Sequence, residues 1–425
     1  MAEPAAGDRP ARNSTFSSLQ VPAYRTLFFA GSASFMAVQM QFLLRGVLAW
    51  DLTEREGALG LVYLCFGLSM LIATPLGGVA ADRLPNRTVL LVSQTVLTAG
   101  AAGIGFAVVF DVIQFWMLLV AAVMQGVAFG FYGPTRVAFS AKLVGANQLG
   151  NAITLSMLSL NGTRVFAPSF AGVLAGWALF GIGGAYLVAA GFSVLAFVLI
   201  ARCPPGEPTD EAMANTDGPF RQIADGVRYV RHHPHLRRLV LSSFFVIMFG
   251  FNYVAFVPAL VKDVFDLGDG SVGLLMSASS IGAVAIAASL ARRADGPDAQ
   301  RLMIVSGVLF GLFVILLAAM PNFWMAFAVT ALVGAATTGY QSLSNTLALG
   351  MSDESHRGRV QSLLMLSFAG FGIAAAPLGL LAEVIGLRWS MGIMGLVAAG
   401  ACAAYAIAEW RVHRHGSTHA AHARA

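Results

Sequence analysis

The chain has 425 residues, 57% of them hydrophobic and only 11% charged, with a net charge of +5. An ordinary soluble domain carries roughly 25% charged residues, so a water-soluble enzyme or a nucleic-acid-binding module is excluded. Apolar runs recur almost to the end of the chain and leave no room for a separate soluble domain.

Residues 1–23 are polar and lack an apolar core, so they read as a cytoplasmic tail rather than a cleaved signal. Twelve apolar segments follow, and a run of about 18 residues or more is long enough to cross a bilayer as a helix. The first six are Arg25 to Trp50, Leu59 to Ala80, Thr88 to Phe110, Phe115 to Val137, Leu149 to Trp177 and Gly183 to Ala201. The second six are Leu239 to Leu260, Ser271 to Leu290, Leu302 to Met320, Phe323 to Leu349, Val360 to Ile385 and Trp389 to Trp410. The predicted fold class is an all-α membrane protein of twelve transmembrane helices in two pseudo-symmetric six-helix bundles. The bundles span 24–201 and 239–410, joined by a cytoplasmic linker at 202–238 and followed by a cytoplasmic tail at 411–425.

Charge fixes the expected orientation, because basic residues are retained on the cytoplasmic side. Arg83, Arg87, Arg136, Lys142, Arg202, Arg228, Arg237, Arg238 and Arg301 fall on the side of the termini, and only Arg55, Lys262 and Arg388 fall in loops opposite. Both termini are therefore expected in the cytoplasm. In the linker, Phe220, Ile223, Val227 and Val230 share one helical face with arginines around the other, the pattern of an amphipathic surface helix.

The two halves repeat each other. A shift of 213 sets Gly60 on Gly273 and Asp82 on Asp295, and a shift of 209 sets Pro168 on Pro377 and Tyr132 on Gln341. Two repeats in the same orientation place a pseudo-two-fold axis along the membrane normal and a cleft between the halves.

An ionisable residue inside a membrane is costly enough to mark function by default. Arg164 lies roughly 22 Å into the fifth helix at 1.5 Å per residue, near the bilayer centre. Thr154, Asn161, Arg164 and Pro168 share a stripe, and Pro168 lacks the amide that would bond the Arg164 carbonyl. The stripe reads either as a polar wall of the cleft or as a structural arginine bonded to neighbouring carbonyls. Arg45, with Gln41 on its face, either enters the cleft, snorkels outward or pairs with Asp51. Gln125 and Tyr132 on the fourth helix, Asn252 and Tyr253 on the seventh, and Gln341 and Asn345 on the tenth are candidate cleft residues. Buried amides serve equally as interhelical hydrogen bonds worth about 1 kcal/mol. No Asp or Glu falls mid-segment, so a proton carrier would have to be a boundary group such as Asp51, Asp82 or Glu383.

Other chemistry is sparse. Cys65, Cys203 and Cys402 have no metal-ligand spacing and read as free thiols. His413, His415, His419 and His422 read as part of a disordered tail before a metal site. There is no Gly-x-x-x-x-Gly-Lys-Ser/Thr loop for ATP, and no cofactor is expected.

The turn Gly78-Val79-Ala80-Ala81-Asp82-Arg83-Leu84-Pro85-Asn86-Arg87 resembles the signature between the second and third helices of the major facilitator superfamily. Pro85 stands where that signature has glycine, and Asn86 where it has its first further basic residue. The stretches Ala49-Trp50-Asp51-Leu52-Thr53, Gly150-Asn151-Ala152, Arg164-Val165-Phe166-Ala167-Pro168 and Arg357-Gly358-Arg359-Val360 resemble its bacterial efflux branch, which includes enterobactin exporters and macrolide or multidrug efflux proteins. The resemblance implies a monomeric secondary transporter in the bacterial plasma membrane, exporting a small amphipathic compound by rocker-switch alternating access with protons as the coupling ion. Gly78, Asp82, Arg83 and Arg87 are then conformational gating residues, Asp82 engaging the N-terminus of the eleventh helix. Its partners are a small-molecule substrate and the lipid bilayer, with no nucleic acid. Import or exchange of a small organic anion, and a non-transporting membrane sensor, are the alternatives.

Overall fold

A computed structural model of the chain describes residues 17–145, 148–207, 219–291, 298–353 and 357–422. Among the described residues there is no β-strand, and the chain is a succession of long helices. The first half comprises α1 (Pro22–Thr53), α2 (Glu56–Arg83), α3 (Asn86–Val109), α4 (Phe115–Val144), α5 (Leu149–Gly176) and α6 (Gly181–Ala201). A linker helix, α7 (Pro219–His232), precedes the second half. That half comprises α8 (Pro234–Val264), α9 (Asp269–Ala291), α10 (Ala299–Ala319), α11 (Phe323–Gly350), α12 (Arg357–Ile385) and α13 (Leu387–His422).

Ten of these helices are, by length and hydropathy, able to cross a membrane, and Gly370–Ile385 within α12 is a shorter apolar stretch. Large apolar side chains such as Ile72, Leu76, Val92, Phe106 and Leu396 face outward. Water would penalise that surface and lipid does not, so the protein is a multi-pass membrane protein. α8 is not one regular helix. It passes from an α-helix through a 3-10 turn at Gly250–Asn252 and a short helix at Tyr253–Ala259 into a π-turn at Leu260–Val264.

The halves meet along α2 with α12 and along α5 with α9. Both seams depend on glycine. A methyl on Gly60 would run into the Ala375 carbonyl oxygen, and one on Gly273 would run into the Gly172 backbone. These are the two glycines that the internal repeat superposes, so duplication has placed one close-approach site on each seam. Small residues that let backbones touch are the usual basis of helix association in lipid.

Several helix ends differ from the sequence reading. α4 continues to Val144, about two turns beyond the expected end, and Arg136, on the last turn of the expected segment, is 5% exposed inside the bundle. Its guanidinium donates to the Ser156 hydroxyl at 3.0 Å and sits 4.8 Å from the Phe35 ring centroid, which is what makes its burial tolerable. α13 runs on to His422, so the segment expected as a disordered tail is helical that far; the side chains of 413–422 lie outside the described residues. Pro234 provides a helix start for α8 earlier than the apolar run suggested. On α7, Val230 is buried while Val227 is half exposed, and Phe220 and Ile223 lie outside the described side chains.

Candidate functional site

The seams close the cleft at the end remote from the termini, and two ion-pair groups gather there. Glu383 on α12 accepts from Arg55 Nε at 3.2 Å, from Arg55 Nη2 at 3.4 Å and from the Gly57 amide at 3.2 Å. Lys262 on α8 sits between Asp51 of α1 and Asp269 of α9, bonded to both carboxylates. Arg55, Asp51 and Gly57 belong to the first half, while Glu383, Lys262 and Asp269 belong to the second. Glu383 in turn holds the Arg55 guanidinium above its ordinary pKa. Thus Asp51 pairs with Lys262, not with Arg45. Arg388, the third cation expected on this side, donates to the Ala318 carbonyl at 2.9 Å.

Below that closure lies a small pocket between the halves. Its walls come from α5, α8, α11 and α12. Asn161 and Arg164 project from α5, and Gln341 and Asn345 from α11, so four of the ten candidate cleft residues are brought together. Three hydroxyls unmarked in the sequence reading join them. Ser243 and Ser344 bond to each other at 2.7 Å, and Tyr340 donates to Ser243 at 3.3 Å. The available signal was helical spacing: Ser344 falls on the Gln341–Asn345 face of α11, but serine is too common in membrane helices to stand out. The apolar part of the wall is Met157, Leu160, Ile247 and Leu364. Pro168 lies beyond the pocket, and the Thr154 side chain is outside the described residues.

The other six candidates are packed within the halves. Arg45 is 1% exposed and donates through Nη2 to Gln125 Oε1, with the Phe66 ring 5.9 Å away. Gln41 is buried and donates to the Ala37 carbonyl at 3.2 Å. Tyr132 lies against Phe35 and Phe129 in the first half's core. Asn252 donates to the Phe371 carbonyl at 3.1 Å, tying the irregular part of α8 to α12. Its neighbour Tyr253 packs against Phe310.

The α2–α3 turn is built around Asn86. Its side chain donates to the Ala81 carbonyl at 2.8 Å and accepts from Lys142 at 2.6 Å, while its backbone amide donates to the Gly206 carbonyl at 3.1 Å. Arg87 donates to the Cys203 carbonyl at 3.2 Å. Burial pushes the Cys203 thiol up to about 11, so it is neutral at physiological pH. Asp82 is half-buried and feels Lys142 and Arg83 as its nearest cations. Residues 354–356, ahead of α12, and the side chains of Arg357 and Arg359 lie outside the described residues, as does Asp295. Gly78 has open space around it; its neighbour Gly77 is the one pressed against α4.

The MFS_3 family model, described as transmembrane secretion effector, matches residues 13–422. The chain is 28% identical over 369 residues to the enterobactin exporter EntS of Salmonella typhi, covering 84% of this chain and 85% of that one. It is 25% identical over 364 residues to the EntS of Shigella flexneri, covering 84% of each. Among solved structures it is similar to a bacterial homolog of the human lysosomal transporter Spinster in an inward-facing, unoccupied conformation. That likeness has a TM-score of 0.68 at 16% identity and covers 94% of this chain and 97% of the other. A POT family transporter in complex with 5-aminolevulinic acid is also similar, with a TM-score of 0.68 at 12% identity, covering 93% and 97%.

Proposed function

This chain belongs to the MFS_3 family of transmembrane secretion effectors, within the major facilitator superfamily, and from that membership we propose that it exports a small amphipathic compound across the bacterial inner membrane. The observation that carries the reading is a mixed polar and apolar pocket set between two halves that ion pairs join at the end remote from the termini. Relatives named as enterobactin exporters put a siderophore or a comparable secondary metabolite among the cargoes to try first. With the termini in the cytoplasm, as the distribution of arginines favours, the sealed end faces outward and the pocket is loaded from inside. The protein works as a monomer.

Export then follows from rocking the halves about the pocket. The seam reaches the site directly, because Ser280 of α9 donates to the Val165 carbonyl, one residue from Arg164, and bonds the Ser169 hydroxyl at 2.8 Å. Cargo that repositions α5 therefore acts on the closure. Protons act at the sealed end, where protonating Asp51 or Glu383 removes an acceptor that joins the halves. The sign is fixed: acid on the outer side weakens closure and favours release. Asp82 latches the opposite state, in which the inner ends come together.

Expression in a host stripped of its own exporters tests this. We expect increased tolerance to a toxic compound or increased siderophore excretion, with the gain lost in Asp82→Asn. No gain for any member of a broad panel, at normal membrane expression, would overturn the proposal.

A further inference from the structure

The pocket has a charge balance that a generic amphipathic cargo does not require. Among the described residues, Arg164 is the one formal cation lining it, and no carboxylate lines it. The polar remainder is biased toward donors still seeking an acceptor. Ser243, Ser344 and Tyr340 satisfy one another, whereas Gln341 Nε2 is buried with no acceptor among the described residues. Beside them stand the amides of Asn161 and Asn345. Met157 and Leu160 beside Arg164 on α5, Ile247 on α8 and Leu364 on α12 offer only hydrocarbon.

We propose that this pocket recognises an amphipathic organic anion, its charged oxygens held by Arg164 and the Gln341 amide and its apolar body lying on α8 and α12. The proposal rests on the reading of the pocket as the transport site and adds the cargo's charge. A cation of the same shape would meet Arg164 at short range in a poorly screened site, where like charges repel strongly. A neutral compound could use the amides but would gain less from the guanidinium, whose bonds are strongest to charged oxygens. Carboxylate, phenolate and sulfonate share the needed chemistry, since a guanidinium presents a planar fork of donors to paired oxygens.

The test is ligand-induced thermal stabilisation of the purified protein in detergent. The probes are size-matched aromatic sets: carboxylates, phenolates and sulfonates, their neutral amides, and the corresponding amines. Stabilisation by anionic members is expected, saturable and absent for the amines. Arg164→Gln should weaken it by about 10- to 100-fold, the equivalent of a charge-assisted hydrogen bond of roughly 1.5–3 kcal/mol. Arg164→Lys should recover part of the loss, and Gln341→Leu, which removes an unsatisfied donor, should weaken binding with no loss of melting temperature in the unliganded protein. Stabilisation by neutral or cationic members equal to that by anions, no stabilisation by any anion, or an unchanged anion response in Arg164→Gln would overturn it. Binding in detergent is independent of transport direction, so a failure here alongside normal export leaves the exporter reading standing, and the reverse outcome separates them equally.

Discussion

A methyl group on Gly77 would run into the Gly130 carbonyl oxygen and lie 2.7 Å from Phe131 Cα, whereas one on Gly78 would meet nothing within 4 Å. The signature that the sequence shares with its superfamily draws attention to Gly78, yet the crowded position is its neighbour. Gly77→Ala should therefore cost about 1–3 kcal/mol through overpacking of α2 on α4, while Gly78→Ala should be neutral or stabilising by up to about 1 kcal/mol through helix propensity. Melting temperatures of the two variants in detergent check this; a larger loss for Gly78→Ala would contradict the packing assigned here. The same scale shows what was legible in residues alone. Asn161, Arg164, Gln341 and Asn345 stood out because each is a polar group in an apolar run, and the fold assembles them in one pocket. Arg45 and Gln125 stood out for the same reason, but they bond each other inside the first half, and composition cannot tell a cleft-facing amide from one that bonds a neighbouring helix.

At the scale of elements, segment number, order and the two-half arrangement were readable because hydropathy reports burial in lipid directly. Helix ends were not. The last two turns of α4 contain Ser140 and Lys142, beyond the expected end at Val137, and they read as a loop until Lys142 is seen to donate to Asn86 and Ser140 to the Arg136 carbonyl. The sealing pairs were equally hidden, since Arg55 and Glu383 are 328 residues apart and nothing local links them. Asp51 was singled out as a boundary carboxylate and as a candidate partner of Arg45, Glu383 only as a boundary carboxylate, and Asp269 was passed over. The α5–α9 seam offers a direct test, because Ser169 and Ser280 oppose each other at 2.8 Å across the two halves. In a chain lacking its own cysteines, Ser169→Cys with Ser280→Cys should crosslink on oxidation and stop export, with export restored on reduction. Crosslinked protein that still exports at the reduced rate would mean that this seam does not part during turnover.

For the whole molecule, the argument is about balance between two closures. The distal end is held by two half-exposed ion-pair groups and glycine seams, and exposed ion pairs contribute only about 0–1 kcal/mol each. A closure held so lightly is open to reversal by a bound cargo or by a few protons, and that is the property a rocking transporter needs. The direct measurement is a pair of spin-label distances in lipid, one between Leu179 and Trp389 at the sealed end and one between Leu84 and Trp410 at the other, all four side chains being exposed. Weakening the seal with Lys262→Met and Glu383→Gln should lengthen the first distance and shorten the second in the same fraction of molecules. A first distance that grows while the second stays fixed would show fraying of one end instead of rocking about the pocket, and would contradict alternating access in this protein.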